Sequence, residues 1–184
     1  MNSYLAHDHA HLAELLSELH TALDAGDTEL SYARLDRFWA RLAVHIRAEH
    51  LALFPAIVRA LRANRNNQTR GSLSLSQAER VIENLRADHD FFMHELARAI
   101  ATMRDLTANN GQDVALTLKD VHARIEAVEE RLAIHNRIEE SEVYLWIATL
   151  LSEIEQAELA TRLQNELGKL PNRFSGDRKN QTLM

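Results

Sequence analysis

The chain has 184 residues, of which 46% are hydrophobic and 26% are charged, a composition typical of globular domains. Its formal net charge of −6 argues against nucleic acid as a partner, because duplex binding requires a basic face. The absence of cysteine excludes disulfides and Cys-type metal sites, and without a signal peptide or an apolar run near ~20 residues we expect a cytoplasmic protein with no membrane partner.

Apolar residues recur every three or four positions along most of the chain, which predicts helices throughout. A first helix is expected over 4–24, ended by Gly26. A second helix begins at Asp27 or Thr28, and Pro55 within its pattern predicts a kink or break one turn earlier. A basic run follows, which we interpret as a solvated helix end and loop rather than a binding patch: Arg59, Arg62, Arg65 and Arg70.

Residues 64–72 are polar and rich in helix breakers, which predicts a loop. Ser76 and Glu79 have the spacing of a capping box, in which each side chain bonds the other residue's backbone N–H. This spacing predicts that the third helix begins there and extends to about 107. The fourth helix is expected over about 113–151.

A short fifth helix is expected over about 152–167, where Ser152 and Glu155 have the spacing of another capping box. One domain then occupies 1–168, and 169–184 are expected to form a flexible tail. Four long helices with short connections favour an all-α, antiparallel up-down four-helix bundle with a short extra C-terminal helix, rather than a domain-swapped pair.

Two phrases of the sequence occur twice. The first and third helices each carry Asp-His, whereas the second and fourth each carry a histidine four residues before a glutamate. The four phrases are Asp8-His9, Val44–Glu49, Asp88-His89 and Ile134–Glu139. This repetition predicts a site on a pseudo-two-fold axis between two similar helix pairs.

The spacing indicates a metal site, because residues four apart lie on one helix face and can converge on one point. A carboxylate on such an apolar face is costly unless a cation compensates it. One such pair would be a weak signal, but two pairs in matching contexts favour metal binding. Imidazole and carboxylate donors suit iron, manganese or zinc. The predicted metal ligands are His9, His45, Glu49, His89, His135 and Glu139.

These phrases resemble the hemerythrin-like, or HHE cation-binding, family over about 4–150, with Glu49-His50-x-x-Leu53-Phe54-Pro55 as a further similar motif. The resemblance implies a four-helix bundle with two non-haem iron ions, bridged by an oxo or hydroxo group, as its cofactor. Zinc or manganese are possible substitutes. It also implies a small partner molecule, such as dioxygen, nitric oxide or peroxide, or a role in iron handling and stress responses.

The third helix departs from the oxygen-carrying members of that family, which have a second histidine four residues after the first. Met93 stands at that place and is interpreted as a packing residue, which favours redox, sensing or iron-handling roles over oxygen carriage. His94 lies about 100° further round the helix and cannot replace the missing imidazole. His50 and Glu140 follow the two glutamates directly, and whether they support or replace the ligands is left open.

Other polar and aromatic residues are interpreted as surface or packing positions. His7, His11 and His122 are expected to be exposed, and His20 to lie at the edge of the core. Asp8 and Asp88 are expected on the flanks of the site, with support of the ligands as an alternative. Tyr144 and Trp146 are expected to pack in the core.

The main functional hypothesis is a non-enzymatic protein, monomeric or homodimeric, whose metal centre binds a small molecule. The first alternative is a di-iron enzyme of the peroxidase or oxidase type, for which no dedicated acid or base can be identified. The second is a structural bundle whose site holds zinc or nothing.

Overall fold

A computed structural model describes residues 3–63, 73–108 and 113–174, and these residues form helices joined by short connections. The α-helices are α1 (Ser3–Asp24), α2 (Thr28–Ala48), α3 (Phe54–Ala63), α4 (Leu75–Ala108), α5 (Val114–Ile138), α6 (Tyr144–Leu150) and α7 (Glu153–Leu167). Two π-helical turns, π1 (Glu49–Leu53) and π2 (Glu139–Val143), join α2 to α3 and α5 to α6 without a break. Across the described ranges there is no strand, and no helix has the length and apolarity needed to cross a membrane.

Four helical rods make up the bundle: α1, then α2 with π1 and α3, then α4, then α5 with π2 and α6. The start of α1 lies beside the end of α2, where His9 and His45 approach within 3.3 Å. His89, in the first half of α4, similarly lies 3.1 Å from His135 near the end of α5. Consecutive rods are therefore antiparallel, which confirms the all-α up-down bundle that the sequence predicts.

Two clusters of buried apolar side chains fill the bundle. The first cluster comes from residues within 12–23, 35–46, 92–106 and 118–132. The second cluster comes from Leu5 and from residues within 48–61, 78–85 and 143–163. Along each rod, the predicted metal ligands lie at the boundary between the two clusters. The bundle thus has a polar layer enclosed by apolar residues at both ends.

Local signals end and begin several helices where the sequence predicts. Gly26, at φ 69°, adopts the left-handed conformation after α1, which is accessible to glycine at little cost. The Asp27 side chain then accepts a hydrogen bond from the backbone N–H of Leu30 at the start of α2. Ser152 and Glu155 form the expected capping box at the start of α7.

The start of α4 differs from the prediction by two residues. Ser74, not Ser76, precedes the helix, and its hydroxyl accepts from the backbone N–H of Gln77 at 3.2 Å. The Gln77 side chain in turn accepts from the backbone N–H of Ser74 at 2.9 Å. Glutamine completes a capping box as well as glutamate does, so the same spacing occurs twice in this stretch. Glu79 instead lies 3.4 Å from Arg62.

The fifth predicted helix, α7, packs against α2 and π1. Arg41 of α2 donates to the backbone carbonyl of Leu167 at 2.9 Å. Beyond α7, Arg173 forms an ion pair with Asp36 of α2, at 2.9 and 3.0 Å. The predicted loop, with Arg65 and Arg70, and residues 175–184 of the predicted tail lie outside the described residues.

Candidate metal centre

The polar layer brings together all six residues predicted as metal ligands, and each is at most 6% exposed. They form two groups that share both glutamates, with the potential donor atoms of each group within 4.8 Å of one another. The first pocket consists of His9, His45, Glu49 and Glu139. The second pocket consists of His89, His135, Glu49 and Glu139.

Each pocket holds a pair of histidines whose Nε2 atoms face inward. The Nε2 atoms of His9 and His45 are 3.3 Å apart, and those of His89 and His135 are 3.1 Å apart. Glu49 lies between the two pairs, with Oε1 3.1 Å from Nε2 of His45 and Oε2 3.1 Å from Nε2 of His89. One carboxylate therefore faces both pockets at once.

Glu139 occupies the corresponding place in the other half of the chain. Its Oε2 lies 3.3 Å from Nε2 of His9 and its Oε1 lies 3.4 Å from Nε2 of His135. Both oxygens of Glu49 and one of Glu139 are buried without a hydrogen-bond partner among the described residues. Buried carboxylate oxygens are costly in this condition, so the donor set fits a cation in each pocket.

Each glutamate is the first residue of a π-helical turn. The backbone N–H of Phe54 donates to the carbonyl of Glu49, and that of Tyr144 to the carbonyl of Glu139. The first turn ends just before Pro55, where the sequence predicts an interruption. The second turn has no proline at the matching position, so proline alone does not explain it. Turns of this kind frequently mark functional sites.

The outer nitrogen of His45 is held by a carboxylate. Its Nδ1–H donates to Oδ2 of Asp8 at 2.8 Å, which directs Nε2 towards the pocket. The other oxygen of Asp8 accepts from Arg41, which also donates to Leu167 at the end of α7. The histidine is thus fixed by a chain of contacts that reaches the end of α7.

The second half repeats this support. Nδ1–H of His135 donates to Oδ2 of Asp88 at 3.2 Å, and Nε of Arg131 donates to Oδ1 of Asp88 at 2.6 Å. The alternative role considered for the two aspartates, support of the histidines, therefore matches their contacts. The sequence analysis did not identify the two arginines as supporting residues. Arg41 stands four residues before His45, and Arg131 stands four residues before His135.

The residues that directly follow the two glutamates contact the remaining histidines from outside. Nδ1–H of His9 donates to Glu140 at 2.8 Å, and Nδ1 of His89 lies 2.9 Å from Nε2 of His50. Burial and the neighbouring charges of His89 and Arg86 lower the pKa of His50, so its neutral ring can accept this bond. His50 and Glu140 thus support the histidines and do not enter the pockets.

The glutamates and histidines shift one another's pKa values towards the charged forms. Burial alone would lower the pKa of His45 and that of His135, but Glu49 raises the first and Glu139 raises the second. Burial would likewise raise the pKa of Glu49, but His45 and His89 hold it well below its usual range. Glu49 is therefore ionised at neutral pH, which is the state that binds a metal.

Tyr144 packs in the core as predicted, and it also contributes a hydroxyl to the first pocket. Its side chain is buried, and its Oη lies 3.2 Å from Nε2 of His9 and 3.3 Å from Oε2 of Glu139. Burial and the nearby Glu139 raise the pKa of Tyr144 well above its usual value, so the phenol stays protonated. The matching residue of the first half, Phe54, stacks on His89 and offers no hydroxyl.

The burial of several other histidines and apolar residues also bears on the sequence predictions. Met93 is half-buried and packs against the first cluster, and Trp146 packs against the second. The side chain of His94 is 68% exposed, as expected from its position on the helix. His11 and His122 were expected to be exposed, but both are half-buried, and His122 lies 3.3 Å from His20.

Substitution of Asp8 by asparagine is expected to weaken metal binding in the first pocket about 10–100-fold, a typical cost of losing such a supporting contact. The amide keeps the shape but loses the charge that supports His45 and pairs with Arg41. Metal retention against increasing chelator measures the change. Asp36→Asn, which alters a surface ion pair with Arg173, is the matched control. Equal retention in both variants would contradict the assigned role.

Comparison with known proteins agrees with this geometry. The family model described as the hemerythrin HHE cation-binding domain matches residues 1–147, which include all six residues of the two pockets. Searches of curated proteins and of solved structures gave no match. Since the family model covers most of the sequence, the chain belongs to the hemerythrin HHE cation-binding domain family.

Proposed function

We propose that this protein carries a non-haem di-iron centre that binds or senses a small molecule such as dioxygen, nitric oxide or peroxide. The observation that carries the proposal is the position of the two glutamates. Each glutamate faces one histidine of the first pocket and one histidine of the second pocket. Two ions that share both carboxylates account for this arrangement. The proposed ligands are His9, His45, Glu49, His89, His135 and Glu139.

The donor set fits iron, and it also fits zinc or manganese. Each pocket offers two imidazoles and one oxygen from each glutamate, which makes four protein donors. Zinc in structural sites is usually satisfied by four ligands. Iron takes more, so two bound iron ions would supply redox chemistry and open positions for a small ligand.

The residues around the pockets have separate tasks in this proposal. Asp8 and Asp88 hold the histidines in the tautomer that presents Nε2 to a metal. The two apolar clusters exclude bulk water from both sides of the polar layer. Tyr144 places a hydrogen-bond donor in the first pocket only, so we infer that the exogenous ligand binds there.

Removal of the Tyr144 hydroxyl is therefore expected to weaken ligand binding and leave metal content unchanged. In Tyr144→Phe, the dissociation constant for nitric oxide should rise about tenfold, since a hydrogen bond contributes ~1.5 kcal/mol. Titration of the reduced, iron-loaded protein measures this constant. Tyr32→Phe, which removes a hydroxyl from a half-buried tyrosine of the first cluster, is the control. Unchanged affinity in Tyr144→Phe would refute the role of the phenol.

Metal analysis tests the centre itself. Protein produced in iron-replete medium should contain about two iron ions per chain and show an absorption band near the ultraviolet edge. Chelation should remove the band, and anaerobic iron loading should restore it. Protein that takes up no iron on such loading, or that retains only zinc, would overturn the proposed function.

A further inference from the structure

A second group of histidines and acids lies towards the other end of α1 and α5. His20 is eleven residues after His9, and His122 is thirteen residues before His135, so the group is about 16–20 Å along the helices from the metal centre. Nδ1 of His20 lies 3.3 Å from Nε2 of His122, and the two rings meet edge to face. Neither residue has a part in the proposed di-iron site.

The outer nitrogen of each ring faces a carboxylate. Nε2 of His20 lies 2.9 Å from Oε2 of Glu129, a distance at which the nitrogen donates its hydrogen. Nδ1 of His122 lies 3.5 Å from Oε1 of Glu126. A neutral imidazole carries one N–H, so donation by Nε2 of His20 leaves a lone pair on its Nδ1, the nitrogen that faces His122. At 3.3 Å the two inner nitrogens can share either a hydrogen carried by His122 or a metal ion.

The spacing and the surroundings are those of a transition-metal site. Two imidazole nitrogens bound to zinc at ~2.0–2.1 Å in tetrahedral geometry are about 3.4 Å apart, close to the observed separation. Nε2 of His122 also lies 3.5 Å from Oδ1 of Asp24, a carboxylate beside the histidine pair. The side chains of His20 and His122 are 21% and 31% exposed, so an ion can reach them from solvent.

We propose that His20 and His122, with Asp24 beside them, bind a divalent transition-metal ion, best represented by zinc, at a site separate from the HHE centre. Glu129 holds His20 in the metal-binding tautomer, as carboxylates commonly do for ligand histidines, and Glu126 places a negative charge beside His122. The ion links α1 to α5, because His20 and Asp24 belong to one helix and His122 to the other. Water completes the coordination at this half-exposed position.

A zinc titration of the full-length, iron-loaded protein tests this site. Calorimetry should show one zinc ion bound per chain without release of iron. His122→Gln should weaken this binding at least tenfold, and Glu129→Gln should weaken it by a factor of about ten. His94→Gln, which alters an exposed histidine of α4, should bind zinc like the unaltered protein.

Two results would overturn the proposal. One is the absence of zinc binding by the iron-loaded protein, which would indicate an ordinary hydrogen-bonded histidine pair that shares a proton. The other is equal zinc binding by the unaltered protein and by folded His122→Gln. The site is independent of the di-iron proposal, so zinc should still bind between His20 and His122 when Glu49 and Glu139 are both replaced by glutamine. Zinc-induced NMR shifts of the two ring systems locate the ion in that variant.

Discussion

Replacement of Glu49 by glutamine is expected to release both metal ions rather than one. The carboxylate faces His45 in the first pocket and His89 in the second, at 3.1 Å in each case. An amide keeps one oxygen and carries no charge, so neither pocket retains its full donor set. The loss of affinity should exceed the roughly 10–100-fold cost of removing a supporting contact. Metal content per chain after dialysis measures the effect.

Glu142→Gln is the matched control for this substitution. Glu142 lies in the π2 turn, as a glutamate three residues after Glu139, but its side chain is exposed. The same change of charge should therefore leave both ions bound. Retention of one tightly bound ion by Glu49→Gln would contradict a carboxylate shared between the pockets. It would indicate two separate sites that only lie close together.

Replacement of Phe92 by alanine is expected to lower the free energy of unfolding by about 3–5 kcal/mol, the usual cost of truncating a buried phenylalanine. Phe92 is fully buried, and its ring lies edge to face against His135 at 5.4 Å. The cavity would also loosen the second pocket, which should then release its metal more readily than the first. Denaturant unfolding of the metal-free protein measures the first effect, and metal retention against chelator measures the second.

The neighbouring Phe91 provides the control. It is half-buried, and Arg131 lies 4.5 Å from its ring centre. Phe91→Ala removes the same atoms from a position that water already reaches, so the loss should be about 1 kcal/mol. Equal losses of stability in both variants would contradict the assignment of Phe92 as the buried residue that packs against the second pocket.

The bundle and the six clustered residues could be predicted because both follow from short-range periodicity. Apolar residues every three or four positions define the helices, and a histidine four residues before a glutamate defines a common face. The repetition of that pair as His45 with Glu49 and as His135 with Glu139 then indicates that the faces meet. The resemblance to the HHE family supplies the same six residues.

The role of Tyr144 could not be predicted from the same periodicity. In a regular α-helix, a residue five positions after Glu139 lies about 140° away from it, outside the pocket. The π2 turn accommodates one extra residue and returns Tyr144 to the face of Glu139. No sequence signal marks that turn, since only the first half has a proline beside it.

The partners of the supporting residues depend on the order of the rods around the bundle. His9 and Glu140 are 131 residues apart in the chain, and Arg41 reaches Leu167 across 126 residues. Such contacts arise from tertiary packing and have no local pattern. The aspartates were an exception, because each directly precedes a histidine of the repeated phrase.

The shared glutamates also connect metal binding with the order of folding. The first helix pair alone supplies His9, His45 and Glu49, and the first pocket is complete only when Glu139 arrives from the other half. If the proposed ions are bound, a nascent hairpin of α1 and α2 would therefore lack one ligand of the first pocket. In the proposed di-iron centre, local opening of either half would therefore remove ligands from both ions at once.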